Sequence, residues 1–182
     1  MNGEDVCGDS CAIRADEDGA YVVVVADGLG HGPLAAGASQ EAVRTFRDAP
    51  LGSMSALVEL LHRRLSATRG AAIAVARIDP AGRCVTFAGI GNIAGWIVAH
   101  DGRTGMISHP GIVGHQLRTV REHSYDLHPG STVVLHSDGL GEKWDLGAYP
   151  GLRARDPAVI AATLLRDAGV RHDDASVLVA RA

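Results

Sequence analysis

The sequence predicts an α+β layered domain, one unit spanning residues 1–182, and three observations point there. Most of the strand-like segments follow one another across short turns, which makes them antiparallel. The helical segments come as one adjacent pair and one late single helix, instead of alternating with strands as a doubly wound parallel sheet requires. Residues 21–26 (YVVVVA) form an unbroken β-branched run, too short for a helix and suited to a strand buried on both faces.

The elements follow in order. The 21–26 strand stops at Asp27-Gly28, and a glycine-rich turn runs to Gly32. Pro33 suits the first turn of a helix over 33–48, with Leu34, Ala38, Ala42, Val43 and Phe46 on its apolar face. Ser53 caps a second helix over 53–67, lined by Met54, Leu57, Val58, Leu61 and Leu65. After Gly70 the pattern changes to strands at 71–78, 83–90, 95–100, 103–108, 122–127 and 132–137, punctuated by turns such as Asp79-Pro80-Ala81-Gly82 and Pro129-Gly130. Asp101-Gly102 reads as a plain hairpin turn without chemistry. Asp156 and Pro157 open the last helix, Val159, Ile160, Leu164 and Leu165 line it, and Gly169 ends it. A strand at 176–180 closes the order: two strands, two helices, a run of strands, one helix, one strand.

Composition narrows the function classes. A net charge of −4 and a pI near 6.1 argue against a general nucleic-acid or anionic-membrane partner. No apolar run approaches the ~20 residues of a membrane-spanning helix, and no signal peptide is visible, so the expected compartment is the cytoplasm. Three cysteines, Cys7, Cys11 and Cys84, form an odd set that reads as free thiols. Cys7 and Cys11 have a zinc-like gap, but no second pair follows.

Four acidic points lie at strand ends or turns: Asp9 in Cys-Gly-Asp-Ser, Asp27 in Ala-Asp-Gly-Leu-Gly-His-Gly, Asp138 in His-Ser-Asp-Gly-Leu, and the pair Asp173-Asp174. Asp27 and Asp138 each follow a strand with an apolar centre (YVVVVA and TVVLHS), so a buried strand would hold their carboxylates rigidly at a sheet rim. Hard cations such as Mg²⁺ and Mn²⁺ take oxygen ligands of this kind. The glycines after Asp27 and Asp138 would let backbone come close to a metal or its waters. His31, in the glycine turn beside Asp27, is placed to donate a proton to a leaving group; His136 and His172 would support the acids by hydrogen bonding from behind. The remaining histidines, His62, His100, His109, His115, His123 and His128, read as surface or loop residues. Gly30-x-Gly32-x-x-Ala35 fits a loose dinucleotide fingerprint, but a second helix follows where a parallel strand is required, and no acid stands at the ribose position. The sequence contains no Walker loop, His-Glu-x-x-His or Gly-x-Ser-x-Gly.

At these residues the chain resembles the bacterial, SpoIIE-like branch of the metal-dependent PP2C-type phosphatases. The resemblance rests on Gly8-Asp9-Ser10, the Asp27–Gly32 turn, Gly91-Asn92, Ser137-Asp138-Gly139-Leu140, and Asp173-Asp174 leading into Val177-Leu178-Val179. Within the branch the chain is most like the small stand-alone phosphatases that act on stressosome proteins. The resemblance implies two antiparallel sheets sandwiched between helices, with two Mn²⁺ or Mg²⁺ ions at one rim. Asp27 would bridge both ions and the Gly28 carbonyl would bind one. Asp138 and the Asp173-Asp174 pair, with Asp173 preferred, would hold the first ion, and Asp9 would help to position the second. The implied reaction is hydrolysis of a protein phosphoserine or phosphothreonine by metal-activated water, and the implied substrate is a phosphorylated regulatory protein of the stressosome or anti-anti-sigma (STAS) type. A pseudophosphatase that binds a phosphoprotein or kinase without turnover is the alternative. Two departures stand out: the family's strand before the Gly-Asp-Ser turn is short or missing, and no arginine occupies the phosphate-binding place of the eukaryotic relatives.

Overall fold

The computed structural model describes residues 6–170 and 173–182. In chain order its elements are β1 (Asp9–Ala15), β2 (Tyr21–Gly28), α1 (Gly32–Asp48), α2 (Met54–Leu65), β3 (Ala71–Asp79), β4 (Cys84–Ile90), β5 (Ala94–Ala99), β6 (Gly102–Met106), β7 (Ser108–His109), β8 (His123–Asp126), β9 (Thr132–His136), α3 (Pro157–Ala168) and β10 (Val177–Arg181). One sheet runs β1-β2-β3-β4, with β8 and β7 one after the other along the outer edge of β4; the other runs β10-β9-β5-β6.

The alternation of strand side chains stacks these elements into four layers. On β2, Val22, Val24 and Ala26 join Ala38, Ala42 and Phe46 of α1 and Leu57 and Leu61 of α2 in one core. Val23 and Val25 face the other way and meet Ile97, Val133, Leu135 and Leu178 between the sheets. Val98 and Val134 pack on Ile160 and Leu164 of α3. A strand with apolar cores on both faces needs an unbroken apolar run, which is what 21–26 supplies. The helices begin where the caps are: the Ser53 side chain accepts from the Ala56 N–H, and Asp156 accepts from the Ala158 N–H. Among the described residues no helix is long and apolar enough to cross a membrane.

The structure corrects several expectations. The segment 103–108 is not one strand: β6 pairs with β5 in the second sheet, while β7 crosses to the first and runs parallel to β4. Residues this short and polar carry no periodicity to mark the break. Arg83 precedes β4 in the turn at φ 52° and is not part of the strand. Leu34 is 61% exposed because α1 packs through a stripe centred on Ala35, Ala38, Ala42 and Phe46, leaving Leu34 at its margin in the first turn. On α3 only Ile160 and Leu164 of the four expected residues are buried; Val159 and Leu165 flank them in solvent. Gly169 ends α3 as expected, in an extended conformation (φ −60°, ψ 131°). The expected missing strand falls on residues outside the described ones; among the described residues β1 is the edge strand of its sheet.

Candidate metal centre

The β1–β2 register sets Asp9 directly opposite Asp27, so the two side chains project from the same face of the sheet. Like charges at opposed positions repel, and the partial burial of both deepens the conflict. The Asp27 carboxyl is pushed up to about 7, first by burial and then by Asp9, Asp138 and Asp173. Asp9 is raised as well, chiefly by burial, with Asp174 and Asp138 adding to it. Five carboxylates from four separate stretches of chain therefore act on one another at this rim. No ion pair among the described residues involves any of them.

Neutral groups hold the acids in place. The Ser137 hydroxyl donates to Asp9 Oδ2 at 2.5 Å and accepts the Ser176 N–H at 3.0 Å. Asn92 Nδ2 donates to Asp138 Oδ2 at 2.6 Å. The Gly8 N–H donates to Asp174 Oδ2 at 2.7 Å, while Asp173 Oδ1 accepts the N–H of Asp174 itself at 2.9 Å. Asp138 and Asp173 are exposed at the mouth, Asp27 and Asp174 partly covered, and Asp9 buried.

Two glycines explain how the stretches come so close. A Cβ on Gly28 would stand 2.0 Å from the Ala35 carbonyl oxygen, and one on Gly139 would stand 1.9 Å from that of Asp174. Glycine is required in both places because backbone of α1 and of the 173–174 turn occupies the space, a different reason from the metal approach expected of them.

Not every expected residue joins the cluster. His31 is the N-cap of α1, extended and exposed, without a side-chain capping bond. His136 is buried, but its Nδ1–H donates to the Ser137 carbonyl at 2.8 Å and its ring meets the Trp144 ring edge-on, so it faces α3 and not the acids. Burial also lowers its pKa. His172 lies outside the described residues. Cys7, Cys11 and Cys84 are free thiols, and two of the six histidines expected as surface or loop residues, His109 and His123, stack on each other at the sheet edge. Sequence reasoning missed Ser137 as a functional residue; its partner Asp9 is 128 positions away.

Among the described residues no three His, Cys, Asp or Glu side chains converge on one ion position. The donor chemistry still fits a hard divalent cation: the side chains are all carboxylates, Asp27 is pushed towards its neutral form first by burial and then by its neighbours' charge, and a cation is what relieves that repulsion.

A family model described as Stage II sporulation protein E (SpoIIE) matches residues 17–182. The chain belongs to the SpoIIE family. It is 27% identical over 142 residues to the phosphoserine phosphatase RsbX of Bacillus subtilis (strain 168), covering 76% of this chain and 69% of RsbX. A solved structure described as "The bacterial stressosome: a modular system that has been adapted to control secondary messenger signaling" superposes with a TM-score of 0.90 at 30% identity, covering 99% of this chain and 94% of that one. The crystal structure of RsbX in complex with magnesium matches with a TM-score of 0.82 at 23% identity, covering 98% and 88%. The fold is that of PP2C phosphatase domains, and family and fold together make the SpoIIE-family chain a protein-serine/threonine phosphatase.

Proposed function

We propose that this phosphatase acts as one domain in the cytoplasm and hydrolyses phosphoserine or phosphothreonine in a small regulatory protein of the stressosome or anti-anti-sigma type. The observation that carries the reading is the opposed Asp9–Asp27 pair, whose Asp27 carboxyl is pushed up to about 7 and which Asp138 and Asp173-Asp174 approach from two other stretches of chain. Asp9, Asp27, Asp138, Asp173, Asp174 and the Gly28 carbonyl would hold two Mn²⁺ or Mg²⁺ ions; the RsbX relative was solved with magnesium. Bound there, the cations would supply charge to the phosphate oxygens and lower the pKa of attacking water.

The chain's own groups do the positioning. Ser137 and Asn92 fix the directions of Asp9 and Asp138, so the acids need little reorganisation when a substrate arrives. Asp27 sits at the end of a strand buried between two cores and cannot drift. His31, exposed on the turn beside Asp27, is the candidate to protonate the departing serine oxygen. No side chain has to carry the phosphoryl group.

The test is turnover of a phosphoserine peptide against Mn²⁺ concentration. Asp27→Asn and Asp138→Asn should each lower kcat by at least about a thousandfold while circular dichroism stays that of the parent. Parent-like turnover by either folded variant would refute the assignment. A parent that binds phosphoprotein tightly yet hydrolyses nothing at any Mn²⁺ level would instead establish the pseudophosphatase reading.

A further inference from the structure

The stretch between β7 and β8 is basic in a chain whose net charge is −4. From His109 to His123 it carries His109, His115, Arg118, Arg121 and His123 against a single acid, Glu122. Glu122 is already committed, since its Oε2 accepts the Ser55 N–H at the start of α2 at 3.0 Å. The stretch walls a cleft of about 580 Å³ whose lining includes Ile90, His109, Gln116, Arg118 and Arg121 and no acidic residue. Both arginines are exposed, and neither has an ion-pair or hydrogen-bond partner among the described residues.

This wall is built rather than loose. The Gly114 N–H donates to His62 Nδ1 at 3.0 Å, and His115 Nε2 meets the Thr68 carbonyl at 3.0 Å. Val113 and Ala71 exchange two backbone bonds of 2.9 and 3.0 Å. The His109 and His123 rings stack with their Nε2 atoms 3.0 Å apart. The arginines are thus carried on a backbone tied down at several points.

The cleft also lies at a defined place relative to the acids. Ala26, Ile73, Ile90 and His109 stand in one row across the first sheet, and Ala26 immediately precedes Asp27. Three strand spacings separate the ends of that row, about 14 Å. An extended peptide advances about 3.3 Å per residue, so a substrate with its phosphoserine at Asp27 reaches the cleft about four residues further along. Its backbone would cross the Gly91-Asn92 turn, where the Gly91 N–H is bonded to the His109 carbonyl at 2.9 Å.

We propose that this cleft receives an acidic segment of the substrate protein, about four residues from the phosphorylated serine or threonine, with Arg118 and Arg121 as its charge partners. The proposal rests on the phosphatase reading for the location of the phosphoserine. Exposed ion pairs are individually weak, so the cleft selects among substrates through KM and salt-sensitive association, leaving the chemical step to the acids.

Three phosphoserine peptides test it: one with three Glu at positions four to six after the phosphoserine, one with them at the same distance before it, and one with Gln in both places. One of the acidic peptides should show kcat/KM about tenfold above the Gln peptide, through KM. In Arg118→Gln/Arg121→Gln that advantage should fall to within about twofold, with p-nitrophenyl phosphate turnover unchanged. The advantage surviving in the double variant, or no acidic peptide exceeding the Gln peptide, overturns the proposal. Binding of the unphosphorylated acidic peptides, read by fluorescence anisotropy, requires no turnover and should weaken about tenfold in the double variant. Arginine-dependent binding without hydrolysis would sink the phosphatase reading and keep the cleft; hydrolysis without arginine dependence would sink the cleft alone.

Discussion

Ser137→Ala removes one hydroxyl and should change both stability and metal requirement. In the parent that hydroxyl donates to Asp9 Oδ2 at 2.5 Å and accepts the Ser176 N–H at 3.0 Å, in a buried setting. The substitution strands a carboxylate and a backbone donor together. A hydrogen bond to a charged acceptor is worth about 1.5–3 kcal/mol, and an unsatisfied buried donor costs about 1–3 kcal/mol. Water entering the space left by the hydroxyl offsets part of this, and a net loss of about 2–3 kcal/mol is expected in urea unfolding of the metal-free protein.

The same bond lowers the Asp9 pKa against the burial that raises it. Without it Asp9 holds its proton to higher pH, and a cation must displace that proton. The loss of about 1.5–3 kcal/mol corresponds to about a ten- to hundredfold rise in the Mn²⁺ needed for half-maximal turnover near pH 7. The excess should shrink as pH rises, because the proton on Asp9 then competes less with the cation. Val134→Ala is the control, since Val134 is buried on the α3 side of the same strand and touches none of the acids. It should unfold earlier with an unchanged Mn²⁺ requirement. If Ser137→Ala behaves like Val134→Ala, destabilised but with parent-like Mn²⁺ dependence, Ser137 does not position Asp9 and the reasoning fails.

Asp27 gives a pH signature. Its folded value is raised from 3.8 to about 7, so the folded state binds the extra proton within that window, and the group's stabilising contribution, fully present below 3.8, is lost as pH rises through about 7. The Tm of metal-free protein should carry a falling component over that range, absent in Asp27→Asn, and Mn²⁺ should raise Tm more at pH 8 than at pH 5.5; a slope shared by parent and variant would exclude Asp27 as its source. Gly28→Ala should lower both Tm and turnover, because its Cβ meets the Ala35 carbonyl oxygen at 2.0 Å. Gly37→Ala in α1 meets nothing within 4 Å and should stabilise by about 0.5–1 kcal/mol with full activity. Calorimetry on the pair checks both, and equal shifts would refute the steric account.

Side-chain parity explains what the sequence disclosed about the site and what it withheld. On β2, Val23 and Val25 face the second sheet, and Asp27 continues that odd-numbered row to the strand end. Asp9 is on the same face because it is its cross-strand partner. On β9, Val133 and Leu135 face the first sheet, and Ser137 is the next position of that row. The two rows converge, and their ends meet as Ser137 against Asp9. The even row of β9 turns to α3, which carries His136 onto Trp144 and away from the acids. Period-2 reading of 132–137 was therefore enough to separate His136 from Ser137, whereas proximity in sequence to Asp138 favoured the wrong one. The Ser137–Asp9 contact itself had no such signal, since it depends on how one sheet lies over the other. The same holds for 103–108, where the chain changes sheets within a few polar residues. The apolar parts of both rows were legible because burial demands a pattern. The polar ends were legible only as residue types, and stacking the sheets turns those types into one site: each sheet brings part of the cluster to the rim, and neither carries it alone.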